Sequence, residues 1–285
     1  MSIEISIGGQ KGWRHYGNVD SGFFHTFDEL DIGGKPRKVQ IFLPTEHDSS
    51  SQRYPVIYMN DGQTVFHSGG LSPWSLEADK TVDSFLKKNK ICKVIIVAIY
   101  PINRTDEYLS IKTLPGDKNS PVGKGELSSY ANYLALILKP FIDRNYKTDP
   151  SAERTAIIGS AFGGIAALYT AIKHPDKFGI AGVMSPSINV AFEVSGNSKI
   201  EKSALYGELS DYLITKPCRP KLWIDWGVFE PPIAECVPKL ISLLQKNFDY
   251  TQGKNIYTME DALGTHDERA WHYRFGLILS NFYSI

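Results

Sequence analysis

"AIIGSAFGGIAALYTAIKHPDKFG", residues 156–179, decides the fold. Its first residues are apolar and read as a short buried strand. A glycine-bracketed turn follows, and then an amphipathic run with helical spacing. A strand, a sharp turn and a helix, with G-x-S-x-G at the turn, is the arrangement that lifts a nucleophile above the carboxyl end of a sheet. Here the five residues are Gly159, Ser160, Ala161, Phe162 and Gly163. The position that should hold the nucleophile holds alanine.

Working outward, apolar runs alternate with helical patterns. "KVQIFLP" (38–44), "YPVIYMNDG" (54–62), "KVIIVAIYP" (93–101), residues 154–158, "FGIAGVMSPS" (178–187), "KLWIDWG" (221–227) and "KNIYTME" (254–260) read as strands. Helices are predicted over 75–89 with Ser75 as N-cap, over 125–147 with a kink or new turn at Pro140, and over 163–173, 233–247 and 267–283. Strands alternating with helices imply parallel strands joined by right-handed crossovers. The continuously apolar strands imply cover on both faces. The first two strands are joined without room for a helix, which predicts an antiparallel edge. The expectation is a single α/β domain over 1–285, a mostly parallel central sheet with helices on both faces. Segments 102–124 and 188–220 read as irregular regions at the mouth of the sheet, where ligands of such folds bind.

The chain has 285 residues, equal numbers of acidic and basic side chains, and 42% hydrophobic residues. That suits a sizeable core and gives no electrostatic reason for a nucleic-acid or membrane partner. Cys92, Cys218 and Cys236 are odd in number and far apart, which favours free thiols in a reducing compartment over a disulfide framework. The start "MSIEISIGGQKGW" carries no basic and apolar signal pattern, and no apolar run approaches the roughly 18 residues of a membrane span. The reading is a cytoplasmic protein. No histidine pair has metal-ligand spacing, and neither a phosphate loop nor a dinucleotide fingerprint is present, so no metal or cofactor is expected.

Three loops should meet at one end of the sheet. They carry position 161, Glu230 in "WGVFEPP" and His266 in "ALGTHDERAWHYR", in the order nucleophile, acid, histidine. A hydroxyl attacks well only when a base removes its proton, and an imidazole near neutrality can do so. A carboxylate on the far ring nitrogen fixes the tautomer and stabilises the imidazolium. The oxyanion that forms needs fixed donors, for which the N–H groups of Phe162 and of Gln63 in "NDGQ" are candidates. Asp225 and Asp261 are rival acids, ranked lower because one lies inside a strand and the other close to the histidine loop. Taken singly, each feature has a plain structural reading: a loop carboxylate, a surface histidine, a tight strand–helix contact. Phe66, Trp74, Tyr100 and Trp226 stand near predicted strand ends and are candidate pocket walls or core aromatics. Arg104 in "INRTDEY" could meet an anionic substrate or pair with Asp106 or Glu107.

At these residues the chain resembles the esterase family that contains enterochelin esterases, feruloyl esterases, S-formylglutathione hydrolase and the antigen 85 mycolyltransferases. The stretches that carry the resemblance are "YPVIYMNDGQTVF", "INRTDEY", "LKPFIDRNYKTDPSAERTAIIGSAFGG", "HPDKFGIAGVMSPS", "LWIDWGVFE" and "GTHDERAWHYRF". The resemblance implies an α/β-hydrolase fold and a small-molecule ester as substrate. It implies His266 as base, Glu230 as triad acid, Gln63 and Phe162 as oxyanion positions, and serine at position 161. The sequence departs from the family at Ala161. It departs again at "SPSIN" (185–189), where an aromatic often follows "SPS".

Three explanations of Ala161 stand side by side: a serine replaced to trap a ligand, a natural pseudo-enzyme that binds in a former active site, or a nucleophile shifted to Ser160. Acyl transfer to an acceptor other than water is the alternative chemistry of an active form. Oligomeric state, including a homo-oligomer, is left open by the sequence.

Overall fold

The structure, a computed structural model, describes residues 2–70, 72–115, 117–194 and 199–285. The chain divides into two compact units, Met1–Ile102 with Tyr133–Ala156 and Asp267–Ile285, and Asn103–Asn132 with Ile157–His266.

The first unit holds a mixed sheet of β1 (Ile3–Ile7), β2 (Gln10–His15), β3 (Gly22–Leu30), β4 (Arg37–Pro44), β5 (Val56–Met59) and β6 (Ile95–Ile99). Their order is β1-β2-β3-β4-β6-β5. β1 to β4 run antiparallel, β4 pairs antiparallel with β6, and β6 pairs parallel with β5. The antiparallel edge is therefore wider than the sequence reading had it. β4 is joined directly to β5 in the chain but lies beside β6, so the expected pairing of the first two strands read from the sequence is corrected. The β1–β2 turn is Gly8-Gly9, both at positive φ (56° and 77°), which matches the twist of a two-residue hairpin. β5 and β6 are buried along their whole length. The Phe24 ring packs edge-on against Phe66, with centroids 5.1 Å apart, and also meets Phe42.

Two local expectations change here. The helix expected from Ser75 begins at Ala78 and runs to Lys87, with Glu77 at φ 47° before it. The Leu76 N–H is instead held by the Thr64 carbonyl, which keeps the preceding residues out of the helix. At Pro140 the helix is not broken, and a new α-helical segment begins at Lys139. Leu134–Leu138 widens into a π-helical turn, in which the Lys139 N–H reaches back to the Leu134 carbonyl. This places the proline in the first turn of Lys139–Asn145, where a missing N–H costs little.

In the second unit β7 (Thr113–Leu114) and β8 (Asp117–Pro121) form a small hairpin. β9 (Thr155–Ser160), β10 (Ile180–Met184), β11 (Lys221–Gly227) and β12 (Ile256–Asp261) are neighbours in that order. β10, β11 and β12 are parallel. The helix after β9, Phe162–Lys173, is buried from Gly163 to Lys173, as an all-round apolar and alanine-rich helix must be. The segments expected to be irregular contain structure. The first holds a short helix at Arg104–Tyr108 and the hairpin, and the second holds helices at Ile188–Ala191 and Ala204–Thr215. Residues 195–198 of the second segment, and residue 116 of the first, lie outside the described residues. Among the described residues no helix is long and apolar enough to cross a membrane, and Cys92, Cys218 and Cys236 are free thiols.

Two histidines make the fold acid-sensitive. His25 is buried in the first unit with Nδ1 on the Tyr146 hydroxyl, and its Nε2 has no hydrogen-bond partner. Burial pushes its pKa down to about 4, and burial does the same to His174 in the second unit, whose Nε2 lies 3.0 Å from Asn132 Oδ1. A histidine whose folded pKa lies below its unfolded value takes up its proton on unfolding. These groups therefore leave stability intact above the ordinary histidine value of 6.5 and erode it as the pH falls towards about 4. Urea unfolding as a function of pH is expected to show that decline, and His25→Phe to make it shallower. An unchanged slope in the variant would contradict this account of His25.

Candidate active site

Three backbone hydrogen bonds align the carboxyl ends of the second unit's strands. The Ala161 N–H donates to Met184 O (3.0 Å), the Ser185 N–H to Asp225 O (2.9 Å), and the Val228 N–H to Asp261 O (3.0 Å). The loops leaving β9, β10, β11 and β12 thus start side by side. Position 161, Glu230 and His266 all lie on these loops.

At the first loop the backbone of Ala161 has φ 53° and ψ −118°, a region that L-residues rarely enter. Such a residue costs about 1–3 kcal/mol and persists only when its surroundings hold it. The glycines around it explain how. A Cβ on Gly159 would lie 2.2 Å from Gly163 O, and one on Gly164 would lie 3.2 Å from both Gly159 O and Met184 O. Strand and helix approach so closely that only glycine fits at 159, and the residue between them is forced to positive φ. Phe162 is the first helical residue, and its N–H has no acceptor within the helix, as for any first-turn amide.

Glu230 and His266 are brought together. Glu230 Oε1 lies 2.7 Å from His266 Nδ1. The Glu230 side chain is 1% exposed, while the His266 side chain is 41% exposed. Burial alone would raise the glutamate pKa. The His266 ring, the Gly227 N–H and the Ser185 hydroxyl together outweigh it and hold the pKa below the usual glutamate value. Glu230 is placed by Pro231 and Pro232, which open the helix Pro231–Asn247 immediately after it. The loop bearing His266 is drawn onto the end of β11 by the Phe229 N–H, which donates to Gly264 O (3.2 Å). That approach needs Gly227, where a Cβ would lie 2.2 Å from Gly264 O.

The rival acid Asp225 is fully buried and engaged elsewhere: its Oδ2 accepts from the Trp223 indole (2.7 Å) and its Oδ1 from the Ser185 N–H (3.2 Å). Asp261 Oδ1 accepts from the Leu263 N–H. Sequence reasoning missed Ser185 and Gly227 as parts of this arrangement. "WG" before "VFE" was a readable signal for the glycine. "SPSIN" stood out only as a departure from the family pattern, and nothing in it announced a hydroxyl on Glu230.

Arg104 opens the helix Arg104–Tyr108, sits over the Phe162 ring (5.3 Å) and the Tyr108 ring (5.6 Å), and donates to Ser160 O (3.4 Å). Asp106 accepts from the Lys124 N–H and lies 3.7 Å from its Nζ. Trp226 is buried, and its indole N–H goes to Glu260 across the β11–β12 register.

The remaining candidates belong to the first unit. Gln63 lies in the one-turn helix Gly62–Val65, with its Nε2 3.3 Å from Asp61 Oδ1. A Cβ on Gly62 would lie 2.4 Å from the Tyr100 ring, so glycine is required beside Tyr100. Phe66 is in the aromatic core. Trp74 is exposed and lies under the Arg269 guanidinium.

A family model described as "Putative esterase" matches residues 32–275. The chain belongs to this esterase family. Among curated relatives of this chain, the Bacillus subtilis protein YbbA is 23% identical over 152 residues, 53% of this chain and 57% of that protein. The siderophore triacetylfusarinine C esterase of Aspergillus fumigatus is 25% identical over 211 residues, 70% of this chain and 66% of that protein. The matches thus span less than two thirds of each relative's length. The solved structure of the siderophore hydrolase EstA from Aspergillus nidulans shares the α/β fold, with a TM-score of 0.66 at 16% identity over 94% of this chain and 99% of that one.

Two substitutions probe the geometry. Ala161→Gly relieves the positive φ, partly offset by the greater entropy of glycine in the unfolded chain, and is expected to raise the unfolding free energy by about 1 kcal/mol. Gly227→Ala forces the Gly264 loop away from β11 and is expected to cost about 1–3 kcal/mol. Chemical denaturation of both variants beside the parent chain checks the two signs.

Proposed function

We propose that this chain is the scaffold of a serine-type carboxylic ester hydrolase, with position 161 as the nucleophile position, His266 as general base and acid, and Glu230 as its orienting carboxylate. The observation that carries the reading is the 2.7 Å Glu230–His266 bond, on loops that leave the same row of strand ends as the strained turn at Ala161. Family membership supports the reaction class.

With serine at position 161, its Oγ attacks the ester carbonyl carbon while His266 Nε2 takes its proton. The buried Glu230 carboxylate holds the Nδ1–H and stabilises the imidazolium that forms. The Phe162 N–H, at the start of a helix, donates to the developing oxyanion. Collapse breaks the bond to the alcohol, which leaves with the proton from His266. Water, activated by the same imidazole, then releases the acid from position 161. No cofactor enters these steps.

With alanine at position 161 the attacking oxygen is missing and the rest of the arrangement remains. Removing a triad member leaves a residual acceleration of about 10³–10⁴ over water. This chain is therefore proposed to bind an ester and turn it over barely, if at all. The named specificities of its relatives, triacetylfusarinine C in one and feruloyl esters in a Xylanibacter ruminicola xylanase/esterase, suggest siderophore esters and feruloyl esters as first substrates to try.

Hydrolysis by the Ala161 chain and by Ala161→Ser should be compared on acetyl, feruloyl, siderophore and thioester substrates. Serine is expected to bring turnover that His266→Ala abolishes and that Glu230→Gln lowers by about 10³–10⁴-fold. Turnover by the alanine chain itself would move the nucleophile elsewhere, with Ser160 the next residue to substitute. Binding without turnover in the serine variant would make the protein a ligand-binding member of the family.

A further inference from the structure

Ser185 follows β10 directly and is fully buried. Its φ is 41°, a backbone conformation that favours glycine. Two groups of β11 hold it there: its N–H donates to the backbone oxygen of Asp225 (2.9 Å) and to Asp225 Oδ1 (3.2 Å). Asp225 is fixed in turn by the Trp223 indole at 2.7 Å. A carboxylate buried inside a strand and shared between an indole and a backbone amide thus sets the place of one serine.

The hydroxyl so placed lies 2.8 Å from Glu230 Oε2. The same oxygen accepts the Gly227 N–H. Glu230 Oε2 therefore holds two donors from two strand ends, while Oε1 meets His266 Nδ1. Rotating the carboxylate about its last bond would break all three contacts together. A glutamate side chain has one more torsion than an aspartate, and this torsion needs a lock if the imidazole is to stay aimed.

We propose that Ser185 is a positioning residue of the active site, whose hydroxyl locks the Glu230 carboxylate so that one oxygen is dedicated to His266, and that Asp225 anchors Ser185 for this task. The inference rests on the proposed roles of Glu230 and His266. It adds that the loop after β10 belongs to the machinery of the base. Asp225, although a carboxylate close by, acts through Ser185. The competing account is that a small residue at 185 merely fills the strand end and tolerates the turn.

Substitutions separate the two accounts. Ser185→Ala keeps the volume nearest the backbone and removes the hydroxyl. Ser185→Gly also removes the hydroxyl but relaxes the positive φ, so it folds even if alanine is poorly tolerated. In the parent chain, which needs no substrate for the measurement, the carboxyl carbon of Glu230 and the Nδ1–H of His266 are followed by NMR. The Ser185 hydroxyl helps to hold the Glu230 pKa down, alongside the His266 ring and the Gly227 N–H and against burial. Both variants are expected to move the Glu230 titration to higher pH and to speed solvent exchange of the His266 Nδ1–H. In the Ala161→Ser background, kcat is expected to fall by about 10-fold with KM unchanged, by analogy with the lower end of the loss when hydrogen-bond partners of metal-ligating histidines are removed.

If neither variant alters the Glu230 titration or the Nδ1–H exchange, the proposal fails. If alanine alters them and glycine does not, backbone strain at 185 is the cause, and the proposal fails as well. A shift in both variants of the resting chain upholds the lock even where Ala161→Ser shows no turnover. That result would count against the esterase reading alone.

Discussion

The arrangement around Glu230 depends on how β10, β11 and β12 end. These three strands are parallel, and the first residue beyond β9, β10 and β11 donates its backbone N–H to a carbonyl of the next strand along: Ala161 to Met184, Ser185 to Asp225, Val228 to Asp261. These amides lie at the edge of a buried sheet, where an unpaired N–H would be costly. Satisfying them in this way fixes where each loop departs. Residues 69 positions apart in the chain, Ala161 and Glu230, therefore start from strand ends with only β10 between them, and His266 starts from the next strand along. The side chains need only short loops to meet, and short loops leave little entropy to overcome.

Glycines decide which of these meetings are allowed. Gly159 and Gly227 occupy equivalent places near the ends of β9 and β11, and at each a Cβ would fall 2.2 Å from a carbonyl oxygen of a following loop or helix. At β9 the close approach bends the chain through Ala161. At β11 it admits Gly264 and hence brings His266 over Glu230. The electrostatics then follow from burial. A buried carboxylate would ordinarily favour its proton, but three donors converge on Glu230 and hold its pKa below the usual glutamate value. An ionised, immobile carboxylate is what a neighbouring imidazole needs in order to hold one tautomer.

Much of this was legible in the sequence because it rests on local signals. The elbow was readable from Gly159, Gly163 and the apolar runs on either side. That Glu230 and not Asp225 meets His266 was readable from chain position, since Asp225 lies inside a strand and Glu230 on the loop beyond its end. Three kinds of feature escaped. β1 to β3 were passed over although Gly8-Gly9 marks a hairpin, because their alternation is polar and weak beside the continuous runs of β5 and β6. The place of β4 beside β6 depends on strand order, which no local pattern encodes. The role of Ser185 depends on a non-local hydrogen bond between residues 45 positions apart, and the identity of a lone serine carries no trace of it.

Seven residues other than glycine adopt positive φ among the described residues: Asp61, Glu77, Asn89, Ala161, Ser185, Glu193 and Asp249. Asn and Asp ease such conformations by hydrogen bonding to their own backbone, and a surface glutamate sits near a helix end where the turn is common. Alanine has no such relief. A turn chosen for shape alone would carry glycine at 161, as it does at 159, and would be more stable for it. The strain at an alanine that contributes no polar group supports the proposal that position 161 is a nucleophile position. Serine is alanine with one oxygen added, and under that proposal the Glu230–His266 pair, 2.7 Å apart, is the partner such an oxygen would require.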